Sequence, residues 1–422
     1  MTNKAKKVVA IVLAIIGASI SFTLGFFVRN LTLDSDLKNA YDLLYKYRQY
    51  YFFDDGDLVT SIENAILDKY STHYTKEEYE AIKQQAKGES VGIGVAVLSG
   101  TTQIAEVICN SPCEKAGVKA GGTITAVKID GEFVELTNYD AFKQVVNSTS
   151  INGTITFKVD YGSGNVAEYS VAKQAYATSY VTYVDSDTAF TYSDESGSMQ
   201  AKSKQSTLVI NNDDVAYIKY SAFSGTKSGL DGSNGQLTYA LNTFKEKGKT
   251  KLILDLRNNG GGYMDILCDV ASNFINVEDG KTALVSVAVD KKGNREEFKS
   301  SKSVYHSYGF EKIVVMCDEN TASASEALIG AMLDYDANDI VSVVVSSSTL
   351  NGQTVYKSYG KGIMQSTYVN LDGSAVKLTT AQIYWPVSGV TIHGVGITTN
   401  VSSKVVNAQK ETALETALSL MN

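Results

Sequence analysis

Two apolar runs constrain this chain most. Residues 251–256 and 313–316 both read as buried strands, and each breaks off into a turn before a helical pattern resumes. After the first run comes Arg257-Asn258-Asn259-Gly260-Gly261-Gly262, then a helix predicted over 263–275. After the second comes Asn320-Thr321-Ala322-Ser323-Ala324-Ser325-Glu326, with a helix beginning near Ala324. With a further strand at 215–220 and a helix at 235–246, the series implies an α/β core. Downstream, Lys361 stands between Gly360 and Gly362 in a run that reads as a strand. A serine at a helix start and a lysine able to lie buried beside it are the parts of a Ser–Lys nucleophile–base pair.

Chemistry sets conditions on such a pair. A lysine at its ordinary pKa of about 10.4 is charged near neutral pH and cannot accept a proton. Burial can lower that value by the required ~3 units. The flanking glycines let the Lys361 backbone lie deep and close to another segment. In a strand, Lys361, Ile363 and Gln365 share a face, so Gln365 can hydrogen-bond the amine. The oxyanion formed on attack needs backbone N–H donors. Ala324 can provide one, and Gly261 or Gly262 the other. Ser325 is a rival nucleophile, but its position inside the helix suits a packing role. Asp255 and Arg257 read as a structural pair, and Glu326 suits the positive helix N-terminus.

The organisation along the chain is modular. Lys4, Lys6 and Lys7 precede residues 8–28, which carry no charge. That run makes about 31 Å of helix, enough to span a bilayer core. The expected organisation is a cytoplasmic tip and single-pass transmembrane anchor over 1–30, with everything after it extracytoplasmic. Ala18-Ser19-Ile20-Ser21 offers a competing signal-peptide cleavage site. Residues 31–87 show helical spacing, including Thr75-Lys76-Glu77-Glu78 as a capping box. Residues 88–172 switch to short strands with two short helices, a small β-rich module, and 173–422 hold the α/β core. Residues 185–206, rich in Ser, Asp and Lys, are either an inserted hairpin or a loop.

Composition narrows the function classes. A net charge of −8 argues against nucleic-acid binding. Three histidines in no ligand spacing, with no HExxH or CxxC, imply no metal or other cofactor. Four cysteines in a chain this long make no disulfide framework and read as buried thiols. Gly88-Glu89-Ser90-Val91-Gly92 fits the G-x-S-x-G pattern, but a helix precedes it and a strand comes after, the reverse of a nucleophile elbow.

Several of these segments together resemble the C-terminal processing peptidases, the tail-specific Ser–Lys proteases. The carrying motifs are Asp255 to Gly262, Thr321 to Glu326, and Tyr359-Gly360-Lys361-Gly362-Ile363-Met364-Gln365. Ser111-Pro112-Cys113-Glu114-Lys115-Ala116-Gly117-Val118 resembles the PDZ segment of that family. Ile383-Tyr384-Trp385-Pro386 and Ile392-His393-Gly394-Val395-Gly396-Ile397 resemble its C-terminal core. The resemblance implies a crotonase-like α/β core of mixed sheet and helices with an inserted PDZ domain. It assigns Ser323 as nucleophile, Lys361 as base, Gln365 as the partner of the base, and favours Gly261 with Ala324 as the oxyanion donors. It implies a protein or peptide C-terminal tail as substrate, its carboxylate held at Gly92, Ile93, Gly94 and Val95. Some relatives form homodimers, so a homodimer is a further expectation. Two departures stand out. Gly260 replaces a common proline, and Lys361 comes 38 residues after Ser323, longer than the family's usual interval. The extra residues, 343–356, are either an outward hairpin or a shift in strand register. Two other readings are a catalytically dead, tail-binding relative and a crotonase-like acyl-CoA enzyme.

Overall fold

The computed structural model describes residues 66–85, 89–98, 101–136, 138–201, 210, 213–350 and 352–421, with isolated positions between 39 and 46. The chain divides into two compact units, Met1–Leu67 and Asp68–Asn422. In the first, the described positions 39, 40, 42, 43 and 46 are helical, and Lys46 pairs with Asp42 one turn away at 2.7 Å. The expected anchor and most of the helical pattern over 37–66 lie outside the described residues. Among the described residues no helix is long and apolar enough to cross a membrane.

The second unit opens with a short strand, β1 (Thr72–Tyr74), and a helix, α1 (Lys76–Gln85). Thr75 caps α1 as its sequence implies. Its hydroxyl accepts from the Glu78 N–H at 3.2 Å, and the Glu78 carboxylate accepts from the Thr75 N–H at 2.9 Å.

A small β-rich module comes next, with a core of its own built on Ile93, Ile104, Ile124, Phe142 and Phe157. Its elements are β2 (Glu89–Gly92), β3 (Val95–Val97), β4 (Ile104–Val107), α2 (Pro112–Lys115), β5 (Thr123–Ile129), β6 (Glu132–Glu135), α3 (Tyr139–Ser148), β7 (Thr154–Asp160), β8 (Val166–Ala172) and β9 (Gln174–Ala177). β6, β5, β7 and β8 make an antiparallel sheet, β3 pairs with β4, and β2 with β9 brings the ends of the module together. Residues 91–97 are divided between two strands. Gly94 takes a positive φ of 81°, which ends one strand and redirects the next. Asn110 ties the module to the neighbouring sheet, its Nδ2 donating to both Ala177 O and Tyr192 O at 2.9 Å.

The large core is a nine-stranded mixed sheet. Residues 185–201, ambiguous in sequence, complete an antiparallel meander of β10 (Val181–Asp185), β11 (Thr188–Ser193) and β12 (Ser198–Ala201) on its edge. Then β13 (Val215–Tyr220), α4 (Ser233–Glu246), β14 (Lys251–Asp255) and α5 (Met264–Ala271) begin the crossover series. After β15 (Leu284–Asp290), β16 (Arg295–Lys299) and a short helix α6 (Tyr305–Tyr308), the series resumes with β17 (Lys312–Cys317), α7 (Ala324–Asp334) and β18 (Val341–Leu350). β13, β14, β17 and β18 are parallel neighbours, and each is buried on both faces. Leu252, Leu254, Ile313 and Val315 join the cluster under α4, α5 and α7. Ile253, Val314 and Met316 point the other way.

Residues 343–356 extend β18 into a hairpin with β19 (Gln353–Tyr356), pairing Ser347 with Tyr356 and Leu350 with Gln353. The base of β18 keeps its register with β17 and with β22 (Val405–Ala408). The insertion therefore leaves the sheet unshifted. β20 (Ile363–Val369) and β21 (Ala375–Tyr384) belong to a second sheet, where β21 pairs with β1, β15 and β20. α8 (Ala413–Ser419) closes the far face of the main sheet.

Candidate active site

The turns after β14 and β17 leave the carboxyl ends of adjacent parallel strands, where α/β sheets place their ligand sites. Asn259 locks the two turns together. It is fully buried; its Nδ2 donates to Tyr220 O, and its carbonyl accepts from the Ala322 N–H and the Ser325 hydroxyl. Asp318 adds a second tie, accepting from Asn258 N–H at 2.9 Å and Thr321 Oγ1 at 3.0 Å. Beneath them Arg257 grips buried Asp255 through Nε and Nη2, and Tyr217 donates to the same carboxylate at 2.6 Å. These charged residues brace the loop. Ser325, the rival hydroxyl, is spent on Asn259.

Ser323 sits at the N-cap of α7 with φ 59° and ψ −116°, a conformation that L-residues rarely adopt. Such strain persists only where the surroundings enforce it. Here the Ser323 N–H donates to Glu326 Oε2 at 2.9 Å, while the Ala322 N–H is held by Asn259. Ala324 takes the first helical position, almost fully buried.

Glu326 is the residue that sequence reasoning undervalued. It is completely buried, and its two oxygens accept four hydrogen bonds. Oε1 takes Ser358 Oγ at 2.5 Å and the Gly360 N–H at 2.8 Å; Oε2 takes the N–H of Ser323 and of Lys361 at 2.9 Å. Burial pushes its carboxyl above the ordinary value, against the pull of those donors. The Ser323-x-x-Glu326 spacing, a capping-box pattern, was the available signal. Its reach to residues 358–361 had none.

Lys361 does not lie in a strand. β20 begins at Ile363, and a register irregularity between Met364 and Gln365 breaks the alternation expected to align Lys361 with Gln365. The flanking glycines instead serve close approach. Gly360 has φ 84°, and a side chain at Gly362 would meet His393 N at 2.7 Å. Gln365 still lines the same cleft as Lys361, with its Nε2 near Thr379 Oγ1 at 3.5 Å. The Lys361 amine is half-buried. Burial, then the charge of Lys377, lower its pKa, opposed by Glu326 and Asp68.

A cleft of about 600 Å³ joins these groups, lined by Gly260, Gly261, Gly262, Ser323, Lys361 and Gln365 on its polar side. Met264, Phe298, Ile383, Trp385 and Ile392 supply apolar wall. The Gly261 N–H, favoured as an oxyanion donor, is already given to Asn259 Oδ1 at 2.9 Å. Gly261 nonetheless abuts the helix start: a side chain there would lie 2.8 Å from Ala324 N. Gly92, Ile93, Gly94 and Val95 are in the module, not among the residues lining this cleft. Ile93 is buried and its carbonyl accepts from the Cys113 N–H, while Gly94 O accepts from the Ile108 N–H.

Residues 214–403 match the model of peptidase family S41. The matched stretch holds Ser323, Glu326, Ser358 and Lys361, whereas β1 and the module precede it. A probable CtpA-like serine protease of Staphylococcus aureus (strain COL) is 27% identical over 378 residues, 87% of this chain and 64% of that protein. One from Staphylococcus saprophyticus is 27% identical over 336 residues, 78% of this chain and 57% of that one. The chain thus spans less than two thirds of the length of these relatives. The photosystem II D1 C-terminal processing protease shares the fold, with a TM-score of 0.51 at 19% identity over 88% of this chain and 87% of that one.

Proposed function

We propose that this chain is a serine endopeptidase that cleaves proteins selected by their C-terminal tails. The observation that carries this reading is the cleft itself: Ser323, strained at a helix start, and half-buried Lys361 line it together and hang from one carboxylate. Ser323 Oγ attacks the scissile carbonyl while Lys361, held partly out of water, takes its proton. The Ala324 N–H and a second N–H of the glycine turn receive the oxyanion. Lys361 returns the proton to the leaving amine, and water then hydrolyses the acyl-enzyme. Gln365 fixes the amine. The module acts as a PDZ domain, holding a tail carboxylate at the Gly92–Val95 turn and pairing the peptide with β3. Residues 8–28 anchor the chain so that the site works outside the cytoplasm.

The test offers the full chain an unfolded protein with an apolar C-terminus. Wild type is expected to cleave it, and Ser323→Ala and Lys361→Ala are expected not to. Undiminished cleavage by Lys361→Ala would overturn the dyad. Tail binding without cleavage by wild type would leave a binding protein.

A further inference from the structure

We propose that Tyr70 is a positioning residue for Lys361, its ring forming a wall of the pocket that holds the amine, so that the segment leading into β1 is part of the active site. The ring centroid lies 5.6 Å from Lys361 Nζ. At that separation the ring covers one side of the amine. Tyr70 is itself wedged in place. Its ring meets Tyr359 edge-on at 6.4 Å and lies 6.3 Å from the His393 ring, so both sides of the Gly360–Lys361–Gly362 turn contribute to its seat. The backbone is pinned as well: Asp68 accepts from the N–H of Tyr70 and of Ser71, Ser71 Oγ accepts from the Thr379 N–H, and Thr72 to Tyr74 pair with β21.

Two effects of the ring on the amine oppose each other. Its π face attracts the ammonium form, and its bulk removes the water that the ammonium form needs. The attraction is shared, because the Lys69 ammonium lies over the same ring at 4.8 Å. The groups acting on the amine are Lys377 on β21, Glu326 on α7 and Asp68 on this segment, with the Tyr70 ring beside it. Among these influences burial is the largest. On this proposal the water that the ring displaces from its side of the amine outweighs the π attraction, so that Tyr70 favours the neutral amine.

The inference rests on Lys361 being the base, so the test reads the amine directly. Trace acetylation of the full chain across a pH series, with the Lys361 peptide quantified by mass spectrometry, gives the titration midpoint without any turnover. Tyr70→Ala is expected to raise the midpoint by about one pH unit. Tyr70→Phe is expected to leave it in place. If wild type cleaves, the acidic limb of kcat moves by the same shift with KM unchanged. A Tyr70→Ala midpoint equal to or below that of wild type, in a protein that melts normally, overturns the proposal. Should Tyr70→Ala fail to fold, Tyr70→Val carries the same expectation, and an unraised midpoint there overturns the proposal equally. A purely structural role would lower the melting temperature and leave the midpoint fixed. A chain without peptidase activity whose Lys361 midpoint still responds to Tyr70 would sink the peptidase reading and leave this one standing.

Discussion

The backbone N–H groups of Ser323 and Lys361 donate to the same atom, Glu326 Oε2, each at 2.9 Å. Two residues 38 positions apart are thereby set against each other by one buried carboxylate, whose other oxygen holds Ser358 and Gly360. Glutamine at 326 keeps the shape but turns an NH₂ group towards one pair of donors. Glu326→Gln is expected to cost about 2–4 kcal/mol of stability and most of the cleavage activity. Calorimetry together with a cleavage assay checks both; wild-type turnover in a folded Glu326→Gln protein would refute the arrangement.

Ser323 bears a backbone conformation suited to glycine. Both Ser323→Ala and Ser323→Gly remove the hydroxyl, but only glycine relieves the strain. Ser323→Gly is expected to exceed Ser323→Ala by about 1 kcal/mol, the strain relieved less the chain entropy of glycine. Paired thermal melts measure the difference.

The three glycines after Asn259 are not equivalent. Nothing lies within 4 Å of a side chain built at Gly260, whereas one at Gly262 would lie 2.1 Å from Phe223 O. Gly260→Ala is expected to keep stability within about 0.5 kcal/mol and retain activity. Gly262→Ala and Gly261→Ala are expected to lose activity, Gly262→Ala with a visible loss of melting temperature.

Lys361 imposes a cost on the fold whose pH dependence has a definite sign. Its folded pKa lies below the ordinary 10.5, so between the two values the unfolded chain binds more protons and stability rises with pH. Below that window the fold bears the full penalty of the buried charge. Lys361→Met is therefore expected to melt above wild type at pH 7, with the gap closing towards pH 10.5. Melts at both ends of that range decide it.

The β18–β19 hairpin takes up the extra length without shifting the register of β18. Replacing residues 349–354 by a two-residue turn keeps the Ser347–Tyr356 pair and the bonds that Gln409 makes to both. Cleavage activity is expected to be unchanged. A loss of turnover would show that the tip contributes to the site.

Short-range pattern explains what the sequence made legible, and long-range contact explains what it hid. The strands at 251–256 and 313–316 were legible because both faces are buried and apolar, and the Thr75 cap because capping is a short-range event. The strand expected through Lys361 failed for the opposite reason. The Gly360 and Lys361 N–H groups that would have entered a ladder go to Glu326, a contact across more than thirty residues that periodicity cannot register. Likewise Asn259 claims the Gly261 N–H through a side-chain bond that no spacing rule announces. Tyr70 was invisible as a neighbour of Lys361 because nothing in a tyrosine-rich chain marks one ring among 26.

Asn110 gives the module a mechanical character of its own. One amide nitrogen spans two partners, Ala177 on the last strand of the module and Tyr192 on the edge meander of the main sheet. Its backbone turns through φ 67° to do so, while its N–H is held by Glu114 at 2.6 Å. Such a joint behaves as a latch rather than a spring. Swinging the module against the meander ruptures the Tyr192 bond while the Ala177 bond, inside the module, stays, leaving a nearly buried amide to find water. Between engaged and released there is no half-open position that keeps both bonds.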